Sequence, residues 1–140
     1  MTESARNLKN TLDDMQNAWN LAAKVWNPEA LANLYADNAL FYGGRAGHSV
    51  GVAAIQAYFA SYDGIIHSAV LDLIEQELVQ ISPESFVSQG LGAFSFVLAG
   101  GRQTQSVLRT TLVLSKLNGQ WKIQVHHFSV TPAVPPLGDA

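Results

Sequence analysis

The chain has no cysteine among its 140 residues. That removes disulfides, thiol nucleophiles and thiolate metal sites together, while leaving the redox compartment open. Charge is sparse as well: 14% of residues are Asp, Glu, Lys or Arg, the formal net charge is −3, and no Lys/Arg cluster occurs. A nucleic-acid or anionic-membrane partner therefore lacks the electrostatic footprint it needs. No apolar run approaches the ~18 residues of a membrane-spanning helix. The opening stretch, MTESARNLKNTLDDMQ, has neither the basic start nor the apolar segment of a secretory signal, so cytoplasmic residence is the expectation. The histidines show no His-x-His or His-x-x-x-His spacing, and the adjacent pair His126-His127 points to opposite sides of a strand, so neither a metal nor another cofactor is expected.

What is present is apolar and periodic. With 48% hydrophobic residues the chain can build one core without a staple, and it reads as a single domain over 1–131 followed by a Pro-rich tail over 132–140, TPAVPPLGDA with its preceding Thr131. Leu8, Leu12, Met15, Trp19, Ala22 and Trp26 recur at spacings of three and four and predict one stripe on a long first helix. Asn27-Pro28-Glu29 starts a second helix, because Asn caps, Pro suits the first helical position and Glu favours the positive helix end. Leu31, Leu34 and Tyr35 are its expected apolar face, and Asp37-Asn38 its end. A brief strand over 39–42 leads into the Gly-rich GGRAGHSVG, and Val52, Ile55, Phe59 and Tyr62 predict a third helix. After His67 the period becomes two: strands are expected over 67–81, 84–99, 103–117 and 120–130. The fold class is therefore α+β: a curved antiparallel meander wrapped around the first helix, with two shorter helices and an enclosed pocket. Gly90 and Gly92, inside the second long strand, suggest the bulges or kinks that such curvature needs.

This order resembles the nuclear transport factor 2-like superfamily over residues 7 to 131, in its SnoaL-like and calcium/calmodulin-dependent kinase association-domain-like branches. The resemblance is carried by PEALANLYADNALFYGG, GVAAIQAYF, GQWKI and HFS before Thr131-Pro132. It implies a deep pocket between the concave sheet and the helices, and pairing of two copies through the outer sheet face; it does not imply one reaction. Ketosteroid isomerases of the superfamily carry a catalytic Asp after the short strand, where this chain has Leu40-Phe41-Tyr42-Gly43-Gly44. Scytalone dehydratases carry a Tyr-Asp pair near the end of the first helix, where it has Ala22-Ala23-Lys24-Val25-Trp26. Neither chemistry keeps its acid.

Arg109 and His127 are the sharpest candidates. They flank a tight Asn118-Gly119 turn, and alternation puts Val107, Arg109, Thr111 and Val113 on one face, and Trp121, Ile123, Val125 and His127 on one face. If these faces coincide and look inward, a guanidinium holds a ligand oxygen and His127 moves a proton as the catalytic group. The plain alternatives are an ion pair of Arg109 with Glu75 or Glu77 and a histidine bonded to backbone. His126 is expected on the outer face, as is an apolar stripe of Leu108, Leu112 and Leu114. His67 and Tyr42 fall at the expected pocket mouth, Trp19 and Trp26 at its wall, and Arg45 and His48 on a connector able to close over a ligand.

Two functions follow. The first is a small-molecule pocket protein, with cofactor-independent isomerase, lyase and cyclase reactions open to it, on an apolar ring-containing compound bearing an anionic or carbonyl oxygen. The other is a non-catalytic oligomerisation module of the kinase-association type. Both are compatible with a homodimer through the outer sheet face, where an apolar stripe is costly to expose.

Overall fold

The computed structural model describes residues 2–139; residues 1 and 140, the outer ends of the two ranges above, lie outside them. Helix α1, Glu3–Ala23, starts where the Thr2 side chain accepts a hydrogen bond from the Ala5 N–H, and it buries Leu12, Met15, Trp19 and Ala22 on one stripe. Trp26 lies beyond the helix end, at φ 44°, and its buried indole N–H donates to the Phe59 carbonyl over 3.1 Å. Helix α2 is short, Pro28–Ala32, with Asn27 as N-cap and Pro at its start.

Strand β1, Tyr35–Tyr42, begins earlier than the sequence predicts. Tyr35 is therefore a strand residue rather than part of a helix face, because pairing with the last strand already starts there, opposite Ile123. The Asp37-Asn38 pair sits in the irregular part of that pairing rather than closing a helix. A glycine-rich loop over 43–47 leads to strand β2, His48–Val50, which pairs back on β1. Helix α3, Val52–Ala60, then carries Ile55 and Phe59 into the core. Four long strands follow: β3, Ile66–Ser82; β4, Ser85–Leu98; β5, Gln103–Leu117; and β6, Gln120–Ser129. Each lies within two residues of its predicted range.

The six strands form one curved sheet in the order β2-β1-β6-β5-β4-β3, not closed into a barrel. Neighbours are antiparallel except β1 and β6, which run parallel, so the sheet is mixed. Curvature has a local cause. Glu75 takes φ 53° at a register shift in β3 between Ile74 and Glu77, and the backbone of Glu75 crowds Gly90 so closely that a Cβ there would collide with its carbonyl oxygen. The edge strand β3 is covered by α1: the Asn20 side chain exchanges hydrogen bonds with the Leu71 backbone (2.8 and 2.7 Å), and Gln16 accepts from the Leu73 N–H (2.8 Å). Among the described residues no helix is long and apolar enough to cross a membrane.

Candidate functional site

Which way each strand faces decides the site. Along β5 the inward residues are the even ones: Leu112 and Leu114 are buried, Thr110 is buried, and Leu108 packs on the core. Their partners across β6 are Phe128 opposite Thr110, His126 opposite Leu112 and Ile123 opposite Leu114. Arg109, Thr111 and Val113 pair with Ser129, His127 and Val125 on the opposite, outer face. Two expectations are corrected here. The stripe of Leu108, Leu112 and Leu114 turns inward, since three leucines gain more from burial than one arginine. In β6 a bulge breaks the alternation: Val113 faces Val125 and Leu114 faces Ile123, so Gln124 is an extra residue and every side chain after it changes face.

The consequence is an exchange of the two histidines. His126 is buried and His127 is exposed. Arg109 is exposed too, in an outer depression shared with Glu75, Glu77, Gln89 and His127. It makes no ion pair with either glutamate among the described residues. Arg109 and His127 do come together, but on the convex side rather than in the hollow. Tyr42 is exposed on the same sheet, stacked on His48 at 4.2 Å and 5.3 Å from the His127 ring. His67 is exposed at the start of β3 and does not reach the hollow.

The hollow itself has a volume of about 380 Å³, within the ~300–1,000 Å³ usual for small-molecule sites. Trp19 of α1 and Trp26 just beyond its end form one wall, and Tyr58, Phe59 and Tyr62 of the α3 segment form a second. Phe94, Phe96 and Leu98 of β4 line the sheet side together with Thr104, Ser106 and Leu108 of β5 and Phe128 of β6. The rings brace one another edge to face. Trp19 meets Phe59 and Phe94 with centroids 6.5 and 6.0 Å apart, and Trp26 meets Phe59 and Tyr62 at 5.9 and 6.1 Å. Such contacts are worth about 0.5–1.5 kcal/mol each beyond burial, so the wall is built before any ligand arrives.

Apart from the two indoles, the polar side chains of the lining carry hydroxyls. Tyr58 Oη accepts from the Gly44 N–H at 2.8 Å and lies 3.4 Å from Tyr62 Oη. Burial raises the Tyr58 pKa well above the usual phenol value, with the bond to Tyr62 adding to the rise, so Tyr58 stays a neutral donor and acceptor. Gly43 lets the loop approach: a Cβ there would overlap the Tyr58 hydroxyl. Arg45 fastens the loop from outside. Its Nε donates to Ser61 Oγ at 2.8 Å, its Nη2 donates to the Ser61 carbonyl at 3.1 Å, and its guanidinium lies 4.3 Å above the centre of the Tyr62 ring.

Beneath the hollow lies a polar pair that alternation alone misses. Tyr35 Oη and His126 Nδ1 share a 2.8 Å hydrogen bond, both residues fully buried. Burial, helped by the neighbouring His127, pulls the His126 pKa down to about 3, so the ring is neutral. Burial likewise raises the Tyr35 pKa far above its ordinary value. The Trp19 indole N–H lies near enough to ease that rise a little, yet among the described residues Trp19 Nε1 makes no hydrogen bond of good geometry and His126 Nε2 has no partner. Phe41 and Phe128 enclose the imidazole edge to face at 5.4 and 5.1 Å.

Among the described residues no group of three or more His, Asp or Glu side chains is placed to hold a metal ion. The family model for a SnoaL-like domain matches residues 12–133. No curated protein matches the chain. Solved structures do. A candidate calcium/calmodulin-dependent protein kinase II association domain from Xanthomonas campestris is 24% identical at TM-score 0.80, covering 93% of this chain and 89% of that one. A nuclear transport factor 2-like superfamily protein from Salmonella enterica is 18% identical at TM-score 0.77, covering 96% and 99%. A candidate scytalone dehydratase from Novosphingobium aromaticivorans is 15% identical at TM-score 0.75, covering 100% and 99%. At these identities the structures share the fold, and their different names show how little the fold says about reaction. The family-model match, which takes in residues 12–133 of the 140, places this chain in the SnoaL-like family of the nuclear transport factor 2-like superfamily.

Proposed function

We propose that the protein captures a small, largely apolar, ring-containing molecule in the hollow between α1, α3 and the sheet. The supporting observation is the lining: a preformed aromatic cavity of about 380 Å³ whose polar groups, apart from the two indoles, are the hydroxyls of Tyr58, Tyr62, Thr104 and Ser106. Aromatic walls take a flat apolar body, and neutral hydroxyls orient a carbonyl or hydroxyl on it. The lining supplies no carboxylate or imidazole to move a proton at working pH, so binding is the activity the residues support. An interior left open, rather than filled by the protein's own side chains, is what capture requires.

Thermal unfolding against a panel of aromatic metabolites tests this reading. A compound selective for the folded state at a hundredfold excess over its Kd adds about 2.7 kcal/mol and raises Tm by several degrees. Leu108→Trp, which fills the hollow, is expected to abolish the shift, and Ser106→Trp gives a second filling variant if the first folds poorly. Shifts that persist undiminished in a folded filling variant place the ligand elsewhere.

We propose in addition that two copies pair through the outer sheet face. The leucines first expected there are buried, but Val70 and Val107 stand on it 50% and 55% exposed, and Leu40 at its far side is 41% exposed. These are sites a partner surface would cover.

A further inference from the structure

Among the described residues those that line the hollow are uncharged; Arg45 does not line it, but it is fixed beside two residues that do, Gly44 and Tyr62. Arg45 lies on the loop over 43–47, whose Gly44 lines the hollow, and its guanidinium stacks on Tyr62, which also lines it. The side chain is held rather than free: two donations to Ser61 and the ring beneath set its plane. Two of its five N–H groups are used in this way, and the others meet no protein acceptor among the described residues. Among the described residues no carboxylate pairs with it, although Asp63 follows Tyr62 directly in the chain. The Arg45 charge eases the Tyr58 pKa downward against the larger effect of burial.

We propose that Arg45 is the specificity-determining residue of the hollow, and that the ligand class it selects is an aromatic acid: a flat apolar body inside, with one anionic group left at the mouth against the guanidinium. This rests on the capture reading given above. The division of labour follows from solvation. A carboxylate or sulfonate drawn inside would lose its water among aromatic rings with no counter-charge, whereas at the rim it keeps water and gains a pre-positioned, charge-assisted donor. Arg109, the cation the sequence points to, stands on the other side of the sheet and has no part in this contact.

Two dyes sharing one aromatic body separate the terms: 1-anilinonaphthalene-8-sulfonate carries a sulfonate, and N-phenyl-1-naphthylamine does not. Fluorescence titration of the full chain is expected to show both binding, and both lost in the hollow-filling Leu108→Trp or Ser106→Trp. In Arg45→Gln the sulfonate dye is expected to weaken about tenfold, with the neutral dye changed less than about twofold. Arg45→Lys, which keeps the charge but not the fork, is expected to recover part of the loss. Equal weakening of both dyes by Arg45→Gln would mean that the residue only fastens the loop, and no weakening of either would mean that it plays no part; each result overturns this inference while the capture reading survives. Failure of both dyes to bind the wild-type chain, or binding that ignores the filling variants, would overturn the capture reading and this inference with it.

Discussion

His126 is held neutral by its surroundings, and that has a measurable cost. Its folded pKa of about 3 lies below the ordinary histidine value of 6.5, so between those limits the unfolded chain binds the extra proton. The sign follows: this group's stabilisation is complete above about pH 6.5, falls as pH drops, and is exhausted near pH 3. The slope approaches about 1.4 kcal/mol per pH unit in mid-window. Urea unfolding at a series of pH values is expected to show this slope in the wild-type chain and a flatter profile, from a lower plateau, in His126→Gln. Equal slopes in the two proteins would mean the imidazole is not buried. Tyr35→Phe removes the partner of Nδ1 and is expected to cost about 1–3 kcal/mol at neutral pH, since it leaves a buried acceptor or donor unmet.

The β5–β6 hairpin shows what an element's sequence does and does not carry. Its turn is plain in the residues: Asn118 and Gly119 take φ 51° and 78°, the left-handed pair that a type I′ turn requires. Gly119→Ala is accordingly expected to lose about 1–2 kcal/mol in denaturant unfolding. Gly90→Ala is expected to lose more, because its new methyl meets the Glu75 backbone, which cannot swing aside as a side chain would. The strand ranges and the first helix stripe as far as Ala22 were legible in the same way, from period and spacing. The facing of Arg109 and His127 was not. The bulge at Gln124 carries no glycine or proline to announce it, and a single extra residue reverses every side chain after it. One cue did exist: Leu108, Leu112 and Leu114 are the more apolar alternate set, and giving them the interior would have sent Arg109 outside. The start of β1 at Tyr35 was hidden for a different reason, since it depends on a parallel partner some ninety residues away.

For the whole molecule, the two proposals divide the cone into two surfaces, the hollow for capture and the convex face for pairing. Sedimentation equilibrium is expected to return twice the chain mass, and Val107→Glu to return the monomer mass with little change in Tm, because that side chain is already half exposed. A monomeric wild-type chain at tens of micromolar would contradict the pairing. The account's central claim, that the working surface is the aromatic hollow and not the convex patch of Arg109 and His127, is tested most directly by following backbone and indole N–H signals by NMR during titration with N-phenyl-1-naphthylamine. The predicted result is movement concentrated at the Trp19 and Trp26 indoles and the Phe94, Ser106 and Phe128 amides. Movement concentrated at Arg109, Thr111, His127 and Ser129, with both indoles still, would contradict it.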